Sequence, residues 1–420
     1  MRGIRWLLLL SLLGGCAAAP RPTPAAPPVA EREHPPLPDI FAPGGAPGGA
    51  AAAQEPDVVI AVRSPEPCDW PLWRAYQARF ISPDGRVIDR TDDDKSTSEG
   101  QSYALFFALV AGDRPLFDRL LLWTEENLAG GDLRERLPAW KWGRGEDGTW
   151  GVLDPNPASD SDLWIAWVLH EAARIWNEPS YRLLGERMLA MIEKREVKNL
   201  PGLGKMLLPA PAGFEHEKGR SWRLNPSYLP PQLLRRFANR GPWAEVLENT
   251  TRMMRESSPH GLVADWILWH RDHGFGVDPV KGAIGSYDAI RVYLWASFLD
   301  PDDPLRPVWM AATEGLWRQW QHLGEVPETV DVVSARAARR GPPGFTAVLL
   351  SEAVTRGNDA AAARLEEALA RTWNGSLYGD PPTYYDQNLI LFARGHVEGR
   401  FSFARDGTLR TRGDGGGCGE

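Results

Sequence analysis

Cysteine is scarce: three in 420 residues, at positions 16, 68 and 418. That excludes a disulfide-dense scaffold and any C-x-x-C metal knuckle. An excess of positive charge is also missing. Forty-seven basic residues stand against 55 acidic ones, a formal net charge of −8, which argues against a broad nucleic-acid surface. No H-E-x-x-H or P-loop is present, and the eight histidines show no ligand spacing, so neither metal nor organic cofactor is implied. "GRGEDG" at 143–148 fits G-x-G-x-x-G by letters, but it follows no strand and sets two acids where phosphate would lie; it is read as a turn-rich loop. Strand-like alternation is rare, and no apolar run is long enough for a permanent membrane span.

The one leader-like run is "MRGIRWLLLLSLLGGC". Arg2 and Arg5 precede apolar residues from Trp6 to Leu13, and Leu-Gly-Gly-Cys follows. Residues 1–15 are expected to be a signal peptide of the bacterial lipoprotein type, with cleavage before Cys16 and lipidation of its thiol. Ala17 leans toward outer-membrane sorting. Residues 16–66 are rich in Pro, Ala and Gly and cannot bury enough apolar surface to fold. They read as a tether of up to roughly 150 Å if polyproline-like. The protein is therefore expected outside the inner membrane, periplasmic or secreted, touching membrane through its lipid alone. Cys68 and Cys418 bracket a folded region, 67–410, with a Gly-rich tail over 411–420. A disulfide closing the ends and two free thiols both stay open.

What is plentiful is tryptophan, with 19 copies, and helical periodicity. Most of the tryptophans belong to a core; the rest are flat platforms suited to sugar rings. "KSTSEGQSYALFFALVAGD" (95–113) starts a helix, with Ser98 as cap, Gln101 closing a capping box and Glu99 in the first turn. "SDSDLWIAWVLHEAARIW" follows with Ser159 as cap and Asp160 in its first turn, then "GSYDAIRVYLWASFL" with Ser286 and Asp288. From 99 to 160 is 61 residues, and from 160 to 288 is 128, about twice as far. "LNPSYLPPQLLRRF" supplies the intervening start, capped by Asn225 or Ser227, and further starts lie near 342 and 383. Amphipathic segments at 114–128, 180–196, 243–257, 305–322 and 359–371 alternate with these. Six helical hairpins predict an all-α (α/α)6 barrel, a toroid whose parallel inner helices open at one mouth. Such a ring buries its own core, so a monomer is expected. Glu99, Asp160 and Asp288 would meet at that mouth.

The stretches "TSEGQSYA", "NPASDSDLWIAW" and "SYDAIRVY" resemble the motifs of glycoside hydrolase family 8. "RLPAWKWG", "SWRLNPSYLPP" and "VPETVDV" resemble, more narrowly, its endo-β-1,4-glucanases encoded with bacterial cellulose synthase. The resemblance runs from about Cys68 to Gly407. It implies endo-hydrolysis of a β-1,4-glucan (cellulose) chain with inversion, and it names a cellulose synthase complex as a partner to test. By position it makes Glu99 the proton donor and Asp288 the base that activates water; Asp160 matches an acid read either as the nucleophilic partner or as the group that holds a distorted sugar, and the second is favoured because inversion needs a base with room for water. Ser161 stands where the family has Gly or Ala. Sugar contacts fall on Tyr103, Trp140, Trp222, Arg223, Tyr228, Tyr287, Arg291 and Tyr384. Arg291 is one turn after Asp288 and so able to pair with it or with substrate; Tyr385 is left between contact and packing. Other β-glycans (xylan, lichenan, chitosan) are the alternative substrates, and a non-catalytic glucan-binding scaffold is the alternative of another class. A first-turn site should lower the pKa of Glu99, whereas a proton donor needs it raised. Crowding by the two aspartates, with partial burial, is expected to settle the proton there.

Overall fold

A computed structural model describes residues 69–412. Cys16, Cys68, Cys418, the leader 1–15, the tether 16–66 and all but two residues of the tail lie outside the described residues. Thr411, at the expected start of the tail, pairs in a strand, and Arg412 N donates to Arg400 O.

The chain opens with α1 (Pro71–Phe80). α2 (Ser98–Val110) turns into α3 (Arg114–Leu128), α4 (Ser159–Ile175) into α5 (Pro179–Arg195), and α6 (Pro231–Phe237) into α7 (Trp243–Ser257). α8 (Ala289–Ser297) leads to α9 (Arg306–Ala312) and α10 (Glu314–Leu323), α11 (Pro343–Thr355) to α12 (Asp359–Ala370), and α13 (Tyr384–Val397) packs back on α1. The neighbours along the inner ring are α2, α4, α6, α8, α11 and α13, and Phe107 of α2 meets Phe392 of α13 at 4.6 Å to close it. The expected (α/α)6 toroid is the observed architecture. The inner helices are apolar nearly all round, and a helix of that kind is stable only when enclosed; almost every residue of α2, α4, α8 and α13 is buried.

The inside of the ring is filled rather than hollow. Phe106 stacks on Phe392 at 5.1 Å and meets Trp164 edge-on at 5.3 Å, and Trp295 meets Phe392 at 5.4 Å. Edge-to-face and offset contacts of this kind add to the area each ring buries. Trp73, Trp164, Trp167, Trp243, Trp295 and Trp309 are all fully buried, so the core reading holds for much of the tryptophan excess.

The expected single outer helix over 305–322 is broken at Thr313. The Met310 carbonyl, which a continuous helix would offer to residue 314, instead accepts from Arg356 Nη2 at 3.1 Å.

Short antiparallel sheets, which the sequence pattern does not announce, dress the ends of the helices. β1 (Ser96–Thr97), β2 (Lys141–Arg144) and β3 (Trp150–Asp154) form one; β4 (Val197–Leu200) and β5 (Gly204–Leu207) a second; β6 (Glu215–His216), β7 (Ser221–Leu224), β8 (Ile267–His270) and β9 (Gly274–Val277) a third. β10 (Ile284–Gly285), β11 (Pro327–Asp331) and β12 (Ala337–Arg340) make a fourth, and β13 (Phe401–Phe403) with β14 (Leu409–Thr411) a fifth. The last hairpin follows the C-terminal end of α13 and plugs that end of the ring: Phe403 stacks on Phe106 and tilts against Trp167. Buried Glu171 of α4 fastens it, accepting from Leu409 N at 3.1 Å and pairing with Arg174 at 2.9 Å and Arg236 at 2.7 Å. The starts of the inner helices lie at the other end.

Candidate active site

Each inner helix that carries an acid begins differently from its sequence expectation. In α2 the cap is Thr97, whose hydroxyl accepts from Gly100 N at 3.1 Å, and Ser98 is the first helical residue, not the cap. Gln101 does not close a capping box. It is buried, accepts from Val87 N and donates to Gly85 O, Leu120 O and Thr124 Oγ1, tying α2 to α3 and the preceding loop. In α4 Ser159 is likewise the first helical residue, its N–H donating to Pro209 O. Asp288 stands one residue before α8, and the Ser286 hydroxyl donates to Glu328 O rather than capping. The helix is capped from elsewhere: Asp265 Oδ1 accepts from both Ser286 N and Ala289 N at 2.7 Å. Asn225 does cap, as expected, but over a 3-10 turn (Pro226–Tyr228) that precedes α6.

These starts share one open cleft of about 240 Å³. Glu99, Asp160, Asp288, Arg291, Trp140, Tyr228 and Tyr384 line it, together with Tyr385 and Ser161, and with Lys95 and Asp89, which the sequence does not single out. Gly100, next to Glu99, lets the ring of Tyr384 approach: a Cβ there would lie 2.5 Å from the Tyr384 hydroxyl.

Arg291 is the centre. Its guanidinium is 3% exposed and touches all three acids. Nη1 pairs with Glu99 Oε2 and lies 3.5 Å from Asp160 Oδ2 and 3.3 Å from Tyr103 Oη. Nη2 donates to Asp288 Oδ1 and to Ser227 Oγ, both at 2.8 Å. Arg291 therefore pairs with the carboxylate one turn before it, and with two more from other helices. Asp160 Oδ1 also accepts from Ser161 N at 2.8 Å. Among the described residues no three His, Cys, Asp or Glu side chains gather to hold a metal ion.

Three carboxylates around one cation leave negative charge in excess. Glu99 is pushed up to about 7, first by burial and then by Asp160 and Asp288, while Arg291 pulls the other way. Burial thus outranks the crowding expected to dominate. Asp160 is also raised by burial, with Arg291 and the Ser161 N–H opposing.

The remaining expected contacts divide. Tyr103 lies beneath Arg291, buried, with Phe392 edge-on at 5.0 Å, and does not line the cleft. Trp222 does not offer a platform. The alternation of β7 turns it and Leu224 inward, opposite Trp269, and leaves it 4% exposed. Arg223, on the other face of β7, is held by Asp278 at 2.6 and 3.1 Å and lies 4.7 Å above the Trp266 ring. Tyr287 is exposed outside the cleft lining, packed on Tyr385 and Phe345. Asp265 and Trp266 were not singled out from sequence at all. Their side-chain hydrogen bonds are with residues more than 20 positions away, and an Asp-Trp pair before a short strand has no local signature for that.

The model of glycosyl hydrolases family 8 matches residues 56–398. An endoglucanase of Salmonella typhi is 44% identical over 354 residues, covering 84% of this chain and 93% of its own. One from Xanthomonas axonopodis pv. citri is 45% identical, covering 83% and 91%. Among solved structures, the endo-1,4-D-glucanase of Vibrio fischeri ES114 superposes with a TM-score of 0.75 at 37% identity, covering 82% of this chain and 99% of that one.

The electrostatics are testable by titration. The Glu99 carboxyl, followed by carbon-detected NMR, should show a midpoint near 7. Asp288→Asn should lower it by removing a like charge, and Arg291→Met should raise it by removing the cation. A midpoint at the ordinary value of 4.5 would contradict the account.

Proposed function

This chain belongs to glycosyl hydrolases family 8, and from that premise we propose that it is an endo-acting β-1,4-glucanase that cleaves cellulose chains with inversion. Its family makes it a glycoside hydrolase; the finer statement is supported by the endoglucanases it resembles. The observation that carries it is the meeting of Glu99, Asp160 and Asp288 on one guanidinium, in a cleft walled by aromatic rings.

The chemistry follows from the charge states. Glu99 keeps its proton up to about pH 7 and hands it to the glycosidic oxygen as that bond breaks. Asp288, paired with Arg291 and half open to the cleft, takes a proton from water as the water attacks the anomeric carbon from the other face. The two carboxyls exchange protonation states in a turnover, and solvent resets them. Inversion asks for roughly 6.5–9.5 Å between such groups, enough for the water. Asp160, set deeper, holds the hydroxyls of the distorted sugar. Trp140, Tyr228, Tyr384 and Tyr385 give faces and hydroxyls to neighbouring rings. In this reading the enzyme acts as a monomer on nascent cellulose beside a synthase, exported and lipid-anchored at Cys16.

The full chain should release reducing ends from carboxymethylcellulose faster than from lichenan, xylan or chitosan, with viscosity falling first. Proton NMR should show the α-anomer as the first product. Glu99→Gln should cost about 10²- to 10⁴-fold in kcat while glucan binding persists. The β-anomer appearing first would refute inversion; another polymer cleaved best would move the substrate; binding without cleavage of any would leave the scaffold reading. In cells, labelled palmitate should enter the wild-type chain and not Cys16→Ser; equal labelling of both would dismiss the anchor.

A further inference from the structure

The acid proposed as base is poorly served by its own helix. Asp288 precedes α8, makes no cap with its side chain, and keeps 31% of that side chain exposed. Arg291 holds only Oδ1, and that arginine is shared with Glu99 and Asp160. A carboxylate held by one oxygen on a shared partner is free to rotate about its own bonds. We infer that the adjacent pair Asp265–Trp266 positions Asp288, Asp265 through the backbone and Trp266 through the second carboxylate oxygen, so that a free lone pair faces the attacking water. The inference rests on reading Asp288 as the base.

Two sets of contacts support it. Asp265 Oδ1 accepts from the N–H groups of Ser286 and Ala289, the residues that bracket Tyr287 and Asp288. Its own N–H donates to Ile284 O at 2.8 Å, fastening the cap to β10. The whole turn that presents Asp288 is thus clamped at both ends. Trp266 Nε1 donates to Asp288 Oδ2 at 3.0 Å. Its indole is itself fixed: Phe214 stacks parallel to it at 5.5 Å, and Arg223 lies 4.7 Å over the ring. Arg223 cannot drift, because Asp278, buried, grips it in a bidentate pair. The chain of contact runs Asp278, Arg223, Trp266, Asp288. It gives Arg223 a place in the reaction although it lies outside the cleft. An oxygen fixed to within a few tenths of an ångström matters, since small misplacements of a reacting group are costly.

Trp266→Phe keeps the stacked ring and removes only the donor to Asp288 Oδ2, while the other charged and titratable groups that face Asp288, namely Glu99, Asp160, Asp265 and Arg291 with Tyr228 and Tyr385, all remain.

The test is the steady-state kinetics of Trp266→Phe, Trp266→His and Arg223→Gln, with melting temperature recorded for each. For Trp266→Phe, kcat should fall roughly 10- to 100-fold with KM within about twofold. Trp266→His, which restores an N–H, should regain part of kcat. Arg223→Gln, remote from substrate, should lower kcat by less, again with KM little changed. A folded Trp266→Phe with unchanged kcat overturns the inference. If it does not fold, Arg223→Gln decides alone: an unchanged kcat there overturns it too. Asp288→Asn separates the two readings, because an active Asp288→Asn removes the base assignment itself, whereas an inactive one beside an unaffected Trp266→Phe removes only the positioning.

Discussion

A guanidinium enclosed by protein on nearly every side is costly unless anions meet it, and the same is true of carboxylates that reach it from three helices. Arg291 and the acids Glu99, Asp160 and Asp288 answer each other's cost, and neither side is tolerable alone. This mutual requirement links α2, α4 and α8 at the ends where they begin. It also fixes the charge state of the cleft. Burial first, and then the two neighbouring aspartates that the guanidinium does not fully offset, leave Glu99 holding its proton up to about 7. A structural necessity and a catalytic one coincide in a single contact set.

The ring makes that arrangement rigid. Its interior is aromatic and closed below by the β13–β14 hairpin on Glu171. Tyr103 joins the core to the site: its ring packs on Phe392 and Trp164 while its hydroxyl lies against Arg291. Glu99, Asp160 and Arg291 therefore stand on packed helices, while Asp288 stands on the turn before α8 that Asp265 clamps.

The inner helices were legible because full burial writes itself into sequence as nearly continuous apolar residues, and the outer ones because a single buried face leaves a 3.6-residue period. The boundaries at 114–128 and 243–257 match the observed helices, as do the acids at the mouth. What was not legible is what depends on distant partners. Serines 98, 159 and 286 look like caps, yet Thr97 caps one helix and Asp265, far along the chain, caps another. Trp222 and Arg223 sit side by side in a motif, but a short strand with a period of two sends one to the core and the other to Trp266. Strands of two to five residues carry too few alternations to be seen, and they decide where such side chains point.

The most direct measurement is a crystal structure of Glu99→Gln with a bound cello-oligosaccharide spanning the cleft. The account predicts an intact glycosidic oxygen within hydrogen-bond reach of residue 99, and a water on the opposite face of the sugar held by Asp288. A chain lying elsewhere on the surface, or residues 99 and 288 on the same side of every linkage, would contradict it.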